Sequence, residues 1–171
     1  MTRFADNPTV EVSTVVAAGA AELWPLVCDV GLPARFSPEF LGASWVDGAT
    51  GPALGARFTG RNRHPRRGEW ETTSQVVACD PARTFAWAVG DPANPSAEWR
   101  FELDEAEAGG TRLRYSARMG PGPSGVTRFI EANPDAEEHI VSARLAEWEA
   151  NMTATVDGIK ALAESGAAGR P

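Results

Sequence analysis

The chain contains a single tyrosine, Tyr115, in a segment whose residues alternate between apolar and charged. A strand turns successive side chains to opposite faces. Leu113, Tyr115, Ala117 and Met119 therefore share one face, and Arg112, Arg114, Ser116 and Arg118 the other. The same alternation groups Ser74 with Trp70, Thr72 and Val76, and Asn62 with Phe58 and Gly60. It also groups Trp87 with Phe85 and Val89, and Trp99 with Phe101 and Leu103. A phenol, a hydroxyl and a carboxamide on otherwise apolar faces can donate a hydrogen bond to a carbonyl and polarise it. Tyr115, Ser74 and Asn62 are therefore the candidate catalytic residues. Ser74 has no base beside it in sequence and does not read as a nucleophile. A second reading of Tyr115 stays open, because a structural hydrogen bond to a helix would equally satisfy a buried phenol.

The indoles on these faces, Trp70, Trp87 and Trp99, are either core fillers or stacking walls for a flat guest. With Phe58 and Thr72 they form the strand part of a candidate ligand-binding set. Trp148, Asn151 and Met152 add a helical part. Asn151 lies about 100° around the helix from Met152, at the edge of its apolar stripe. Arg144 lies at the same edge, placed to reach a pocket mouth or to be solvated.

Other chemistries are not indicated. His64 sits in a turn among arginines, and His139 stands early in the last helix; either titrates near neutrality, but surface histidines are common. Two histidines and the widely spaced Cys28 and Cys79 match no metal-ligand spacing. There is no G-x-S-x-G, phosphate loop or dinucleotide fingerprint, so neither metal nor cofactor is expected.

The elements that must position these residues follow from periodicity. Val141, Leu145, Trp148, Met152, Val156, Ile159 and Ala163 recur at steps of three and four, which makes one stripe of a long helix beginning after Pro134. Thr9–Val16 reads as the first strand. Ala20–Val27 reads as a short helix broken near Pro25, and Leu32–Phe40 as a second helical segment. Strands are expected at 42–47, 56–63, 69–78, 83–89, 97–104 and 111–119, separated by Gly- and Pro-rich turns. The stripe has to be buried, and a sheet is the large surface available for it. The expected class is α+β, a curved antiparallel sheet of about six to seven strands around one long C-terminal helix.

With 171 residues the chain reads as one domain, with an ordered core over about 9–164 and a flexible tail over 165–171. A net charge of −7 argues against nucleic acid. Arg57, Arg61, Arg63, Arg66 and Arg67 crowd one hairpin, read as a solvated face and charged tip rather than an anion site. No apolar run is long enough to insert in a membrane, and no signal peptide is recognisable at the N-terminus. A cytoplasmic protein, monomeric or homodimeric, is expected.

Taken together, this order of elements resembles the START/Bet v 1-like helix-grip superfamily (SRPBCC), in its polyketide cyclase/dehydrase branch, from Val10 to about Ala163. The residues that carry the resemblance are Leu32-Pro33-Ala34-Arg35-Phe36-Ser37, Trp70 with Ser74, Trp99, Gly109-Gly110-Thr111 and Ala150-Asn151-Met152. Their local echoes are to tetracenomycin-type aromatase/cyclases, whose pocket arginine and tyrosine positions are held here by Val76 and Phe40. Phe40 thereby joins the ligand-binding set. The resemblance implies a small hydrophobic aromatic or polyketide-type partner in an internal cavity. It also implies cofactor-free cyclisation or dehydration, achieved by positioning the substrate. A non-catalytic carrier or sensor of an apolar molecule is the alternative.

Overall fold

The computed structural model describes residues 1–168. Seven strands form one antiparallel sheet: β1 (Thr9–Val16), β2 (Phe40–Val46), β3 (Arg57–His64), β4 (Gly68–Asp80), β5 (Thr84–Val89), β6 (Ala97–Glu105) and β7 (Thr111–Met119). Their spatial order is β1-β7-β6-β5-β4-β3-β2. Six strands thus run as a continuous meander from β2 to β7, and β1 returns beside β7. The connection from β1 to β2 spans the sheet through α1 (Ala20–Val27) and a 3-10 turn at Leu32–Arg35. After the sheet come α2 (Gly125–Ala132) and the 32-residue α3 (Glu137–Ala168), which lies against the concave face. The fold is the α+β helix-grip architecture.

The helical stripe is the reason for this arrangement. Val141, Trp148, Met152, Val156, Ile159 and Ala163 are all buried, and they meet Phe58, Phe85, Phe101, Leu113 and Tyr115 from the strands. The lone lysine of the chain, Lys160, fastens α3 to β1 by donating to the Val15 carbonyl. Glu164 accepts from Lys160 Nζ at 2.8 Å and from the Ala17 N–H at 3.0 Å. Gly158 has a packing reason. A Cβ there would stand 2.5 Å from three atoms of the Phe36 ring, which seats directly on the helix backbone. Gly110, at φ +78°, brings the β6–β7 tip so close to β1 that a Cβ would meet the Val16 carbonyl.

Two local expectations are corrected, and one element is added. The segment 32–40 is not one helix. Pro33 and Pro38 lack N–H donors, and Ser37 Oγ takes the N–H groups of Glu39 and Phe40, both at 3.3 Å. The chain there turns directly into β2, where Phe40 pairs with Asn62. Pro25 does not break α1, since Leu23 and Val27 on either side of it are buried and hold the helix in place. The run 120–132 contains α2, started by a reciprocal cap in which Ser124 Oγ accepts from the Val126 N–H and Thr127 Oγ1 from the Ser124 N–H.

The tail from Ser165 continues α3 as far as Ala168, and 169–171 lie outside the described residues. Ala86 and Ala88, on the convex face, are nevertheless buried. Their cross-strand neighbours Arg100, Glu98 and Gln75 are long enough to cover them. Among the described residues no helix is long and apolar enough to cross a membrane.

Candidate functional site

The concave face and α3 close over a cavity of about 140 Å³. Period-two alternation delivers its floor. Phe58 and Asn62 come from β3, Thr72 and Ser74 from β4, Trp87 from β5, Trp99 from β6 and Tyr115 from β7. Trp148, Asn151 and Met152 descend from α3, and Phe40 closes the side at the start of β2. Phe40 reaches across because its neighbour is Gly60, where a Cβ would come within 3.0 Å of the Phe40 ring. Trp70 is the exception among the candidates. It shares the face of Ser74 but stands near the hairpin end of the 13-residue β4, half-buried and away from the cavity.

The wall is mostly aromatic. Trp87 and Trp99 oppose each other in the β5–β6 register, stacked at 6.4 Å and 11°. Trp99 also meets Trp148 at 4.9 Å, which ties the sheet to the helix. Phe101 and Tyr115 stack at 3.9 Å and 9°.

Polar side chains interrupt this surface, among them Tyr115, Ser74, Thr72 and Asn62. None of these four makes a hydrogen bond to another described residue, yet none of their polar atoms is sealed off, so each opens on the cavity. Burial pushes the Tyr115 phenol above its usual range. At neutral pH it is a protonated donor, not a base.

A charged pair completes the wall. Arg144 of α3 is 8% exposed and Glu39, just before β2, is 9% exposed. They form a two-pronged bridge, Nη2 to Oε1 at 2.5 Å and Nη1 to Oε2 at 2.9 Å. Asn151 Nδ2 donates to the same Oε2 at 3.3 Å. Arg144 Nη1 also donates to Glu147 Oε2 at 2.8 Å. Burial pulls the Arg144 guanidinium down, but the hydrogen bonds and charges of Glu39 and Glu147 more than offset it. Arg144 therefore stays charged beneath the sheet.

Val76 is buried away from the cavity, and the arginine that lines it, Arg144, comes from α3. Glu39 gave no signal in sequence, since its partner lies 105 residues away.

Outside the cavity, Glu147 gathers the β3–β4 tip. His64 Nε2 stands 3.1 Å from Glu147 Oε1, and Arg67 donates to Oε2 at 3.3 Å. His64 Nδ1 accepts the Arg66 N–H at 3.1 Å, so Nε2 carries the proton and donates to Glu147. Of the crowded arginines, Arg57 and Arg63 are paired with Asp47 and Glu69 on the exposed face. His139 is exposed. Among the described residues no three His, Cys, Asp or Glu side chains gather as a metal site.

A larger hollow of about 1090 Å³ lies at the end of the sheet where α1 starts, between the β4–β5 turn and the β6–β7 tip. It is an open groove walled by loop backbone and surface charges such as Asp80 and Arg83, with no aromatic side chain. The smaller cavity is the more enclosed of the two, with convergent polar groups on a largely apolar wall, and it is the candidate site.

The model of the family described as polyketide cyclase / dehydrase and lipid transport matches residues 7–164. The solution structure of the Polyketide_cyc-like protein Cgl2372 from Corynebacterium glutamicum is 33% identical, covering 91% of each chain with a TM-score of 0.62. The di-domain ARO/CYC BexL of the BE-7585A biosynthetic pathway superposes with a TM-score of 0.69 at 18% identity. That match covers 98% of this chain and 53% of BexL, so the chain spans about half of the di-domain protein. Ara h 8.0201 superposes at 0.58 and 16% identity, over 92% of this chain and 98% of its own. The last two likenesses establish the fold alone. No curated protein sequence matches the chain.

Proposed function

We propose that this chain, which belongs to the polyketide cyclase / dehydrase and lipid transport family, binds a small aromatic or ketide-type molecule in the cavity and promotes its cyclisation by positioning. The observation that carries this reading is the set of polar groups, Tyr115, Ser74, Thr72 and Asn62, that have no partner among the described residues and stand on an aromatic wall. Buried polar groups are ordinarily paired within the protein, and groups left open to an enclosed apolar space are placed for a guest. Tyr115 and Ser74 donate to a guest carbonyl, Asn62 fixes its orientation, and Trp87 and Trp99 hold its plane. A carbonyl polarised in this way enolises and is attacked more readily, and confinement supplies the near-attack geometry.

A second reading, a carrier that binds without turnover, is favoured by one observation. The buried carboxylate on the wall, Glu39, is engaged by both terminal nitrogens of Arg144, so it is not a free base facing the guest.

The test is to incubate the protein with a short, reactive poly-β-ketone and follow cyclised product by liquid chromatography and mass spectrometry, for the wild type and for Tyr115→Phe. Acceleration lost in Tyr115→Phe supports the cyclase reading. Tight binding with no acceleration supports the carrier. Neither binding nor acceleration refutes both.

A further inference from the structure

The size and charge of the wall restrict the guest further, provided that the cavity binds a small molecule at all. We infer that the guest is uncharged and carries a single ring with one or two hydrogen-bonding oxygens.

Volume comes first. The cavity measures about 140 Å³. An apolar protein cavity of about 150 Å³ takes one benzene, whereas sites for drug-sized ligands run from roughly 300 Å³ upward. The walls that would have to retreat for a second ring are tied to one another. Trp99 is held between Trp87 and Trp148, and Phe40 is seated on Gly60. Widening the space means separating the sheet from α3, not turning one side chain.

Charge comes second. The charged groups on the wall are Asp29, Glu39 and Arg144, two carboxylates against one cation. Arg144 is already paired with two carboxylates, Glu39 through both terminal nitrogens and Glu147 through Nη1. An anionic guest would find the one cation on the wall already balanced by carboxylates and would face an excess of negative charge. A cationic guest would find the buried carboxylate, Glu39, already held by Arg144 and Asn151, and the other, Asp29, is an exposed side chain that meets water. An ion taken from water without a partner is strongly disfavoured. The uncommitted groups, on Tyr115, Ser74, Thr72 and Asn62, are neutral hydroxyls and an amide. They match an alcohol, phenol or ketone oxygen.

The experiment is isothermal titration at pH 7 with four probes: phenol, 9-phenanthrol, benzoate and benzylammonium. Transfer from water favours the larger phenol, so binding that favours the smaller one arises only where volume limits it. Phenol is expected to bind at least tenfold more tightly than each of the other three. Thr72→Val keeps the shape of the side chain and removes one unpartnered hydroxyl. It is expected to weaken phenol by several-fold while leaving the urea midpoint unchanged. Phenanthrol binding as tightly as phenol overturns the single-ring inference, and either ion doing so overturns the uncharged one. In both cases the cavity remains a binding site. Failure of all four probes to bind overturns this inference and the binding reading beneath it.

Discussion

Replacing Arg144 by methionine isolates the one buried charge pair in the site. The aliphatic length is kept, so the change is mainly the loss of the guanidinium. Glu39, 9% exposed, is left with the single Asn151 donor at 3.3 Å in place of a two-pronged bridge at 2.5 and 2.9 Å. A buried charge stripped of its partner destabilises by about 3–5 kcal/mol. At about 2–4 °C per kcal/mol for a chain of this size, the melting temperature falls by roughly 6–20 °C. Glu147 also loses a partner, but it is more than one-third exposed and keeps Arg67 and His64, so its share is small.

Removing both charges, in Glu39→Met with Arg144→Met, takes away the stranded carboxylate. Apolar replacement of a buried ion pair is commonly neutral or stabilising. The double variant is expected within about 1 kcal/mol of the wild type, a coupling of at least about 2 kcal/mol between the two sites. Urea unfolding of the wild type, both single variants and the double variant measures the cycle, with equal slopes checking that unfolding stays two-state. The reasoning is refuted if Arg144→Met loses less than about 1 kcal/mol, or if the double variant is no more stable than Arg144→Met.

Gly158→Ala sets helix propensity against packing. Alanine favours the helix by about 1 kcal/mol, but its Cβ would stand 2.5 Å from the Phe36 ring, and overpacking costs about 1–3 kcal/mol. A net loss in the urea midpoint is expected, and a gain would mean that Phe36 does not seat on the helix. Cys28 is buried and its thiol is pushed up to about 12 by burial and then by Cys79. Iodoacetamide at pH 8 is therefore expected to label the half-buried Cys79 well before Cys28. Equal labelling, read by peptide mass spectrometry, would contradict the packing around α1.

Glu147 is pushed up by burial, but the Arg144 hydrogen bond, the charges of Arg144 and Arg67 and the His64 hydrogen bond together hold its carboxyl below the usual range. A folded-state value below the unfolded one, about 4.3, contributes stability above that pH and loses it as the carboxylate protonates below it. The gap in urea midpoint between the wild type and Glu147→Gln should shrink from pH 6 to pH 3. A constant gap would show that the two arginines and the His64 hydrogen bond do not act through that carboxylate.

Much of the site is readable from local periodicity, because a strand has period two and a helix period 3.6 whatever surrounds it. That is why the pattern alone puts Tyr115, Ser74, Thr72, Asn62, Phe58, Trp87 and Trp99 on one face, and Trp148 and Met152 on the facing stripe. Periodicity does not say how far along a strand the cavity extends, which is why Trp70 shares a face with Ser74 and still lies outside. Nor does it signal a segment shaped by side-chain capping, such as Ser37 before β2 or Ser124 at α2.

Most elements and their faces thus follow from local pattern in the chain. Tertiary structure alone decided that Glu39 meets Arg144 across 105 residues, that the arginine enters from the helix, and that the enclosed space is about 140 Å³. Those outcomes depend on how the curved sheet and α3 approach each other, and that distance is set by the packing of Phe36 on Gly158, Phe40 on Gly60 and Trp99 on Trp148. Such packing pairs residues far apart in the chain, and no local pattern encodes it.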